Sequence, residues 1–146
     1  MGLRLGMEAK LYRNTGSYAA PVWAEMGNVK DVTLNLEKGE ADVTTRANAG
    51  WRATVGTLKE GSIEFEMVWD TADPGFEAVK EAYFNDAPIE LAVMDGDVAA
   101  SGSQGLRAMF SVTSFSRKEP LEEAVTVSVS LKVTYSAHAP EWMKVT

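Results

Sequence analysis

The sequence predicts a single all-β domain that carries one α-helix. Three observations lead to this class. Ile63, Phe65, Met67 and Trp69 alternate with Glu64, Glu66 and Val68, and period-2 patterning marks a half-buried strand. Val125, Val127, Val129, Leu131, Val133 and Tyr135 alternate in the same way with Thr126, Ser128, Ser130, Lys132 and Thr134. Between them, Asp73-Pro74 supplies a capping carboxylate and a proline at the first helical position. Phe76, Val79 and Tyr83 then recur at helical spacing with Phe84 adjacent, a stripe that reads as core packing.

The other elements follow in chain order. Strands are expected at 7–13 and 22–35, separated by the turn-rich Asn14-Thr15-Gly16-Ser17. Residues 36–50 have no apolar periodicity and carry Glu37, Lys38, Glu40, Asp42 and Arg46. They read as a long loop, and a loop of that length is usually functional or disordered. A strand at 51–58 precedes the one at 62–70, and Asn85-Asp86-Ala87-Pro88 ends the helix before a strand at 88–94. Residues 95–105 read as a flexible hairpin tip. The run at 105–116 pairs antiparallel with 125–135, with Pro120 in their connection. The count is seven or eight strands in one domain spanning 1–146, with a C-terminal tail at 137–146.

Composition removes several classes of function. The chain has no cysteine, which rules out disulfides, thiolate nucleophiles and cysteine-held metals. The opening Met1–Glu8 lacks the apolar core of a signal peptide, and no apolar run approaches the roughly 18 residues of a membrane span. A soluble protein made in the cytosol is expected. Net charge is −7, against the clustered Lys and Arg of a sequence-reading nucleic-acid binder. Residues 60–97 hold 11 of the 21 acids and one base, Lys80, for a local net charge of −10. One strongly acidic surface is expected from that segment.

Groups able to do chemistry are sparse. His138 is the only histidine; metal ligation and general-base work are open to it, but a surface histidine is the simpler reading. Asp95-Gly96-Asp97 lacks the remaining ligands and the closing glutamate of a calcium loop and reads as an acidic turn. Glu64 and Glu66 share a strand face, the arrangement of paired glycosidase carboxylates, but a solvated strand face is the simpler reading. No catalytic, cofactor or metal residues are assigned, and an enzyme is not expected. Trp51 and Trp69 lie on strand patterns and read as core. Trp23 and Trp142 flank prolines near the termini, and as an exposed pair they would suit a small carbohydrate-binding module; edge packing is the alternative.

With these parts in place, the order of elements resembles the phage tail tube protein family over about residues 8–136. The resemblance lies in Asn28–Leu36, the polar stretch Lys38-Gly39-Glu40-Ala41-Asp42-Val43-Thr44-Thr45-Arg46 before Trp51, and Gly61–Asp70. It continues through the helix carrying Ala82-Tyr83-Phe84 and through Phe110–Arg117 with Pro120-Leu121 before the last long strand. The tail beyond His138 has no counterpart. The resemblance implies an antiparallel β-sandwich or barrel with a flanking helix, six copies closing a ring, and rings stacking into a conduit for DNA delivery. It also implies location in the virion tail, with the subunit in the host bacterial cytoplasm before assembly. Other tail proteins would be partners, DNA would pass non-specifically, and no cofactor is expected. Tube proteins of contractile injection and type VI secretion systems share the fold and give the alternative reading.

The residues themselves suit such a tube. Head-to-tail assembly needs two different complementary surfaces on each subunit. Within 36–50, an extended inter-subunit loop, Lys38, Glu40, Asp42, Val43, Thr44, Thr45 and Arg46 are expected at the interface; a merely floppy loop is the alternative. Thr126, Ser128, Ser130, Lys132 and Thr134 are expected to face a wet lumen, because an antiparallel sheet tolerates one solvated face. Overall negative charge would let DNA slide instead of adhering.

Overall fold

The alternation at 62–70 buries Ile63, Phe65 and Met67 and leaves Glu64 and Val68 exposed. A computed structural model describes residues 3–146; Met1 and Gly2, which open the stretch read above for a leader, lie outside the described residues. The chain runs β1 (Lys10–Asn14), β2 (Trp23–Glu25), β3 (Val29–Asp42), β4 (Thr54–Val68), α1 (Pro74–Phe84), β5 (Ile89–Met94), β6 (Gln104–Lys118), β7 (Thr126–Val133) and β8 (Glu141–Lys144). All the strand pairs are antiparallel, in the order β2-β1-β5-β6-β7-β4-β3, with β8 added on β6.

β6 belongs to two halves of this sheet. Gly105–Phe110 pairs with β5, whereas Phe110–Lys118 pairs with β7. The outermost strands, β2 and β3, are joined by only Met26-Gly27-Asn28, a link that reaches roughly 10 Å at most. The sheet must therefore fold back on itself, and its halves enclose the core. Leu11, Leu91, Leu106 and Phe110 meet Ile63, Met67, Val127, Val129 and Leu131 there, closed by Phe76, Val79 and Ala82 of α1.

Helix α1 begins as expected: the Asp73 carboxylate accepts a hydrogen bond from the Phe76 N–H at 2.9 Å, and Pro74 follows the cap. Asp73→Ala is expected to cost about 1 kcal/mol, lowering the melting temperature by roughly 3 °C in a domain of this size. Calorimetry checks it; an unchanged transition would refute the role of the cap.

Several expectations need correction. The strand expected at 22–35 is two strands, broken at 26–28, and those at 51–58 and 62–70 are one continuous β4. The loop expected from residue 36 is strand as far as Asp42. β7 is shorter than 125–135, and Tyr135 beyond it is 96% exposed. Phe84 is 70% exposed, because eight residues on from Phe76 it stands about 80° round the helix, away from Val79 and Ala82. Tyr83 is also exposed at the helix end, its ring 6.2 Å from that of Phe115. Residues 95–103 pack back on the fold: Ser103 is fully buried, and Val98 N–H donates to the Tyr12 hydroxyl at 3.2 Å.

Candidate assembly surfaces

β4 contacts β7 only from Ser62 to Val68. From Thr54 to Glu60 it pairs with β3 alone, so Glu37–Asp42 and Thr54–Glu60 form a two-stranded arm. Seven residues at about 3.3 Å each make it roughly 20 Å long. Neither face of the arm is buried in the subunit, which is why the sequence showed no alternation. A two-stranded hairpin alone is marginal in water. Its base adds to the difficulty: Glu37 lies directly opposite Glu60, and Lys38 directly opposite Lys59. Like charges across a strand pair destabilise it, and counter-charge from outside the subunit would relieve that cost.

The arm ends in a defined tip. Val43 N–H donates to the Ala53 carbonyl at 3.0 Å, and Ala53 N–H donates to the Thr44 hydroxyl at 2.9 Å. Thr45 caps a 3-10 turn over Arg46–Asn48, and the left-handed pair Ala49 (φ 52°) and Gly50 (φ 85°) returns the chain. The Thr44 side chain, and after it the Thr44 backbone N–H at 2.9 Å, hold the Asp42 carboxyl below its ordinary range. A carboxyl so depressed favours this tip at neutral pH, and the contribution fades as pH falls through its folded-state pKa. Thr44, Thr45, Arg46, Gly50, Trp51 and Arg52 line an open hollow at the end of the arm. Trp51, expected in the core, is 75% exposed there. Lys38, Glu40, Asp42, Val43, Thr44, Thr45 and Arg46 are thus gathered on the arm and all exposed.

The second surface is the outer face of β6-β7-β4-β3. Successive rows across it are Ser111, Lys132, Ser62 and Asn35; Ser114, Ser130, Glu64 and Thr33; and Ser116, Ser128 and Glu66. Glu66 lies 3.8 Å from Lys30. Of the residues expected to face a lumen, Ser128, Ser130 and Lys132 sit on this face. Thr126 shares their side of β7 but is buried, and Thr134 lies past the strand end. The edge of β3 and the edge of β6 beyond Phe110 both lack a strand partner among the described residues.

The acids of 60–97 do not make one surface. Glu60, Glu64 and Glu66 lie on β4, Asp70 to Asp86 surround α1, Asp95 and Asp97 occupy the β5–β6 turn, and Glu90 is buried. Glu90 pairs with Arg107 inside the fold, each 8% exposed. Asn14 Nδ2 donates to Glu90 at 2.9 Å, while Arg107 donates to the Tyr18 carbonyl at 2.7 Å and lies 3.6 Å from Glu141. The guanidinium also covers the Tyr18 ring at 3.9 Å, on which His138 stacks at 3.6 Å. This cluster ties the 15–22 loop and the C-terminal tail to β5 and β6. Sequence reading missed it, and its one available signal was Glu90 and Arg107 standing inside otherwise apolar strands.

The tryptophan pair fails on geometry. Trp23 lies beside Tyr12, Ala92 and Met94 on one face of the sheet, whereas Trp142 stands opposite Leu106 on the other. A paired sugar platform is therefore not formed. Glu64 and Glu66 stand on the open face described above, flanked by serines and threonine. Among the described residues, no helix is long and apolar enough to cross a membrane.

A family model described as phage tail tube protein matches residues 9–136. No curated protein is significantly similar in sequence. In three dimensions the chain resembles a subunit from the virion of a native gene transfer agent particle, at TM-score 0.74 and 15% identity over 97% of this chain and 99% of that one. It resembles the SPP1 tail tube at TM-score 0.69 and 20% identity, over 90% and 76%. A subunit from the anti-feeding prophage baseplate is similar at TM-score 0.57 and 8% identity, over 94% and 92%. With the match extending over most of its length and the same antiparallel fold in place, this chain belongs to the phage tail tube protein family.

Proposed function

We propose that this chain is the repeating structural subunit of a tail tube, assembling in stacked hexameric rings that conduct DNA, and that it is not an enzyme. The protruding arm carries the proposal. It is too exposed and too ill-matched in charge to serve the monomer, and it is shaped to reach a second copy. Sixfold rings are suggested by likeness to a gene transfer agent tail of C6 symmetry, similar at TM-score 0.73 and 14% identity over 99% of this chain and 100% of that one. The free edges of β3 and β6 allow the four-stranded sheet to continue from subunit to subunit. Its serine-rich face would then turn toward the lumen. Small hydroxyls and few unpaired cations on that face offer DNA little to adhere to. Other tail proteins would meet the ends of the tube, and the assembled subunit would reside in the virion tail after release from the host cytoplasm.

Negative-stain electron microscopy of the purified protein tests this directly, with rings or tubes expected. Arg46→Glu, at the exposed tip, is expected to reduce assembly about tenfold while leaving the melting temperature of the monomer unchanged. A strict monomer at high concentration across salt conditions would refute the tube.

A further inference from the structure

Two exposed surfaces of opposite charge, each with a large aromatic residue, stand apart in the subunit. At the tip, from Asp42 to Thr54, the chain carries Arg46 and Arg52 against the single acid Asp42, whose carboxylate is engaged by Thr44. The arm tip is therefore a cationic surface built round an exposed tryptophan. The exposed run that ends α1, Tyr83 to Pro88, presents Tyr83, Phe84 and Asp86 beside the exposed Glu81. The last turn of α1 contains no basic residue, so its carbonyl dipole adds to the negative charge there. Lys80 does not compensate, because it pairs with Glu77 at 2.9 Å.

The topology sets these two surfaces apart. The arm leaves β4 at its N-terminal end, while α1 follows the C-terminal end of the same strand and packs on the second half of β6. Tyr83 of the knob stacks on Phe115, which lies in the row of Val129 and Phe65, eleven residues along β4 from Thr54 at the arm's last pair, so tip and knob cannot meet within one subunit. They are placed to meet between copies arranged head to tail, the heterologous contact that stacking requires. Aromatic groups and arginine are also the side chains that most often anchor protein interfaces.

We infer that the arm tip, through Arg46, Trp51 and Arg52, docks on the α1 knob of a second copy of this chain, through Glu81, Phe84 and Asp86. The inference rests on the tube reading and names the surface that receives the arm. Trp51 packs against Phe84, and the arginines meet the carboxylates and the helix end.

The absence of native cysteine allows a clean test. Trp51→Cys and Phe84→Cys are made as separate single variants, mixed under assembly conditions and oxidised. A disulfide joining the two variants is expected in the mixture, with neither variant giving comparable dimer alone. In a second arm, Arg46→Glu with Arg52→Glu is expected to raise the concentration needed for assembly about tenfold. Adding Glu81→Arg and Asp86→Asn to the same chain should recover most of that loss. All these positions are exposed, and an unchanged melting temperature verifies each fold. Tubes that form without the mixed disulfide and without recovery would overturn the docking site and leave the tube reading standing. A wild-type chain that never assembles would remove both.

Discussion

Arg107→Ala is expected to lower stability by about 3–5 kcal/mol, the usual cost of stranding one member of a buried ion pair. The Glu90 carboxylate, buried in the intact fold, would keep only Asn14 Nδ2 as a side-chain donor. The Tyr18 carbonyl and Glu141 would lose the same partner, loosening the 15–22 loop and the C-terminal strand together. In a domain of this size the loss corresponds to a fall in melting temperature of roughly 10–15 °C. Glu90→Ala should cost a similar amount, and Glu90→Gln less, because an amide still accepts from the guanidinium without a full charge. Chemical denaturation of the three variants checks the order. A loss under about 1 kcal/mol for Arg107→Ala would show that the pair is solvated and not structural.

Removing the arm is expected to abolish tube formation while sparing the monomer. Replacing residues 38–59 by Asn-Gly joins Glu37 to Glu60, which already stand opposite each other, through a turn suited to a two-residue hairpin. The buried core contains no residue from the deleted segment. The shortened chain should therefore melt within a few degrees of wild type, about 1 kcal/mol of stability in this size range. It should sediment as a monomer at concentrations where the full chain gives tubes. Tubes of normal length from the shortened chain would eliminate the arm as an assembly element and remove the main support for the proposed function.

The two changes act on different levels, and the same division governs what could be read in advance. Ile63, Phe65 and Met67, and again Val127, Val129 and Leu131, were legible because each strand buries one face and exposes the other. The helix start at Asp73-Pro74 was legible because capping is local chemistry. Residues 36–42 were misread as loop because both faces of that strand meet solvent, so neighbouring positions need not differ in polarity. Trp51 was misassigned for the same reason: a large aromatic signals burial, but not whether a neighbour or the chain itself supplies it. The seven residues expected at an interface all fall on this arm, although its hairpin form and roughly 20 Å reach were not foreseen.

By itself the sequence determined the all-β class with one helix, the absence of thiol chemistry and the core faces of the central strands. Those properties follow from residue identity and from repeats a few positions long. Tertiary structure alone decided that Glu90 meets Arg107, that Trp23 and Trp142 lie on opposite faces, and that the acids of 60–97 are dispersed. It also set the cationic tip of the arm away from the acidic end of α1. Each of these depends on strand register and on how the sheet folds back, contacts between residues far apart in the chain that no short-range pattern records.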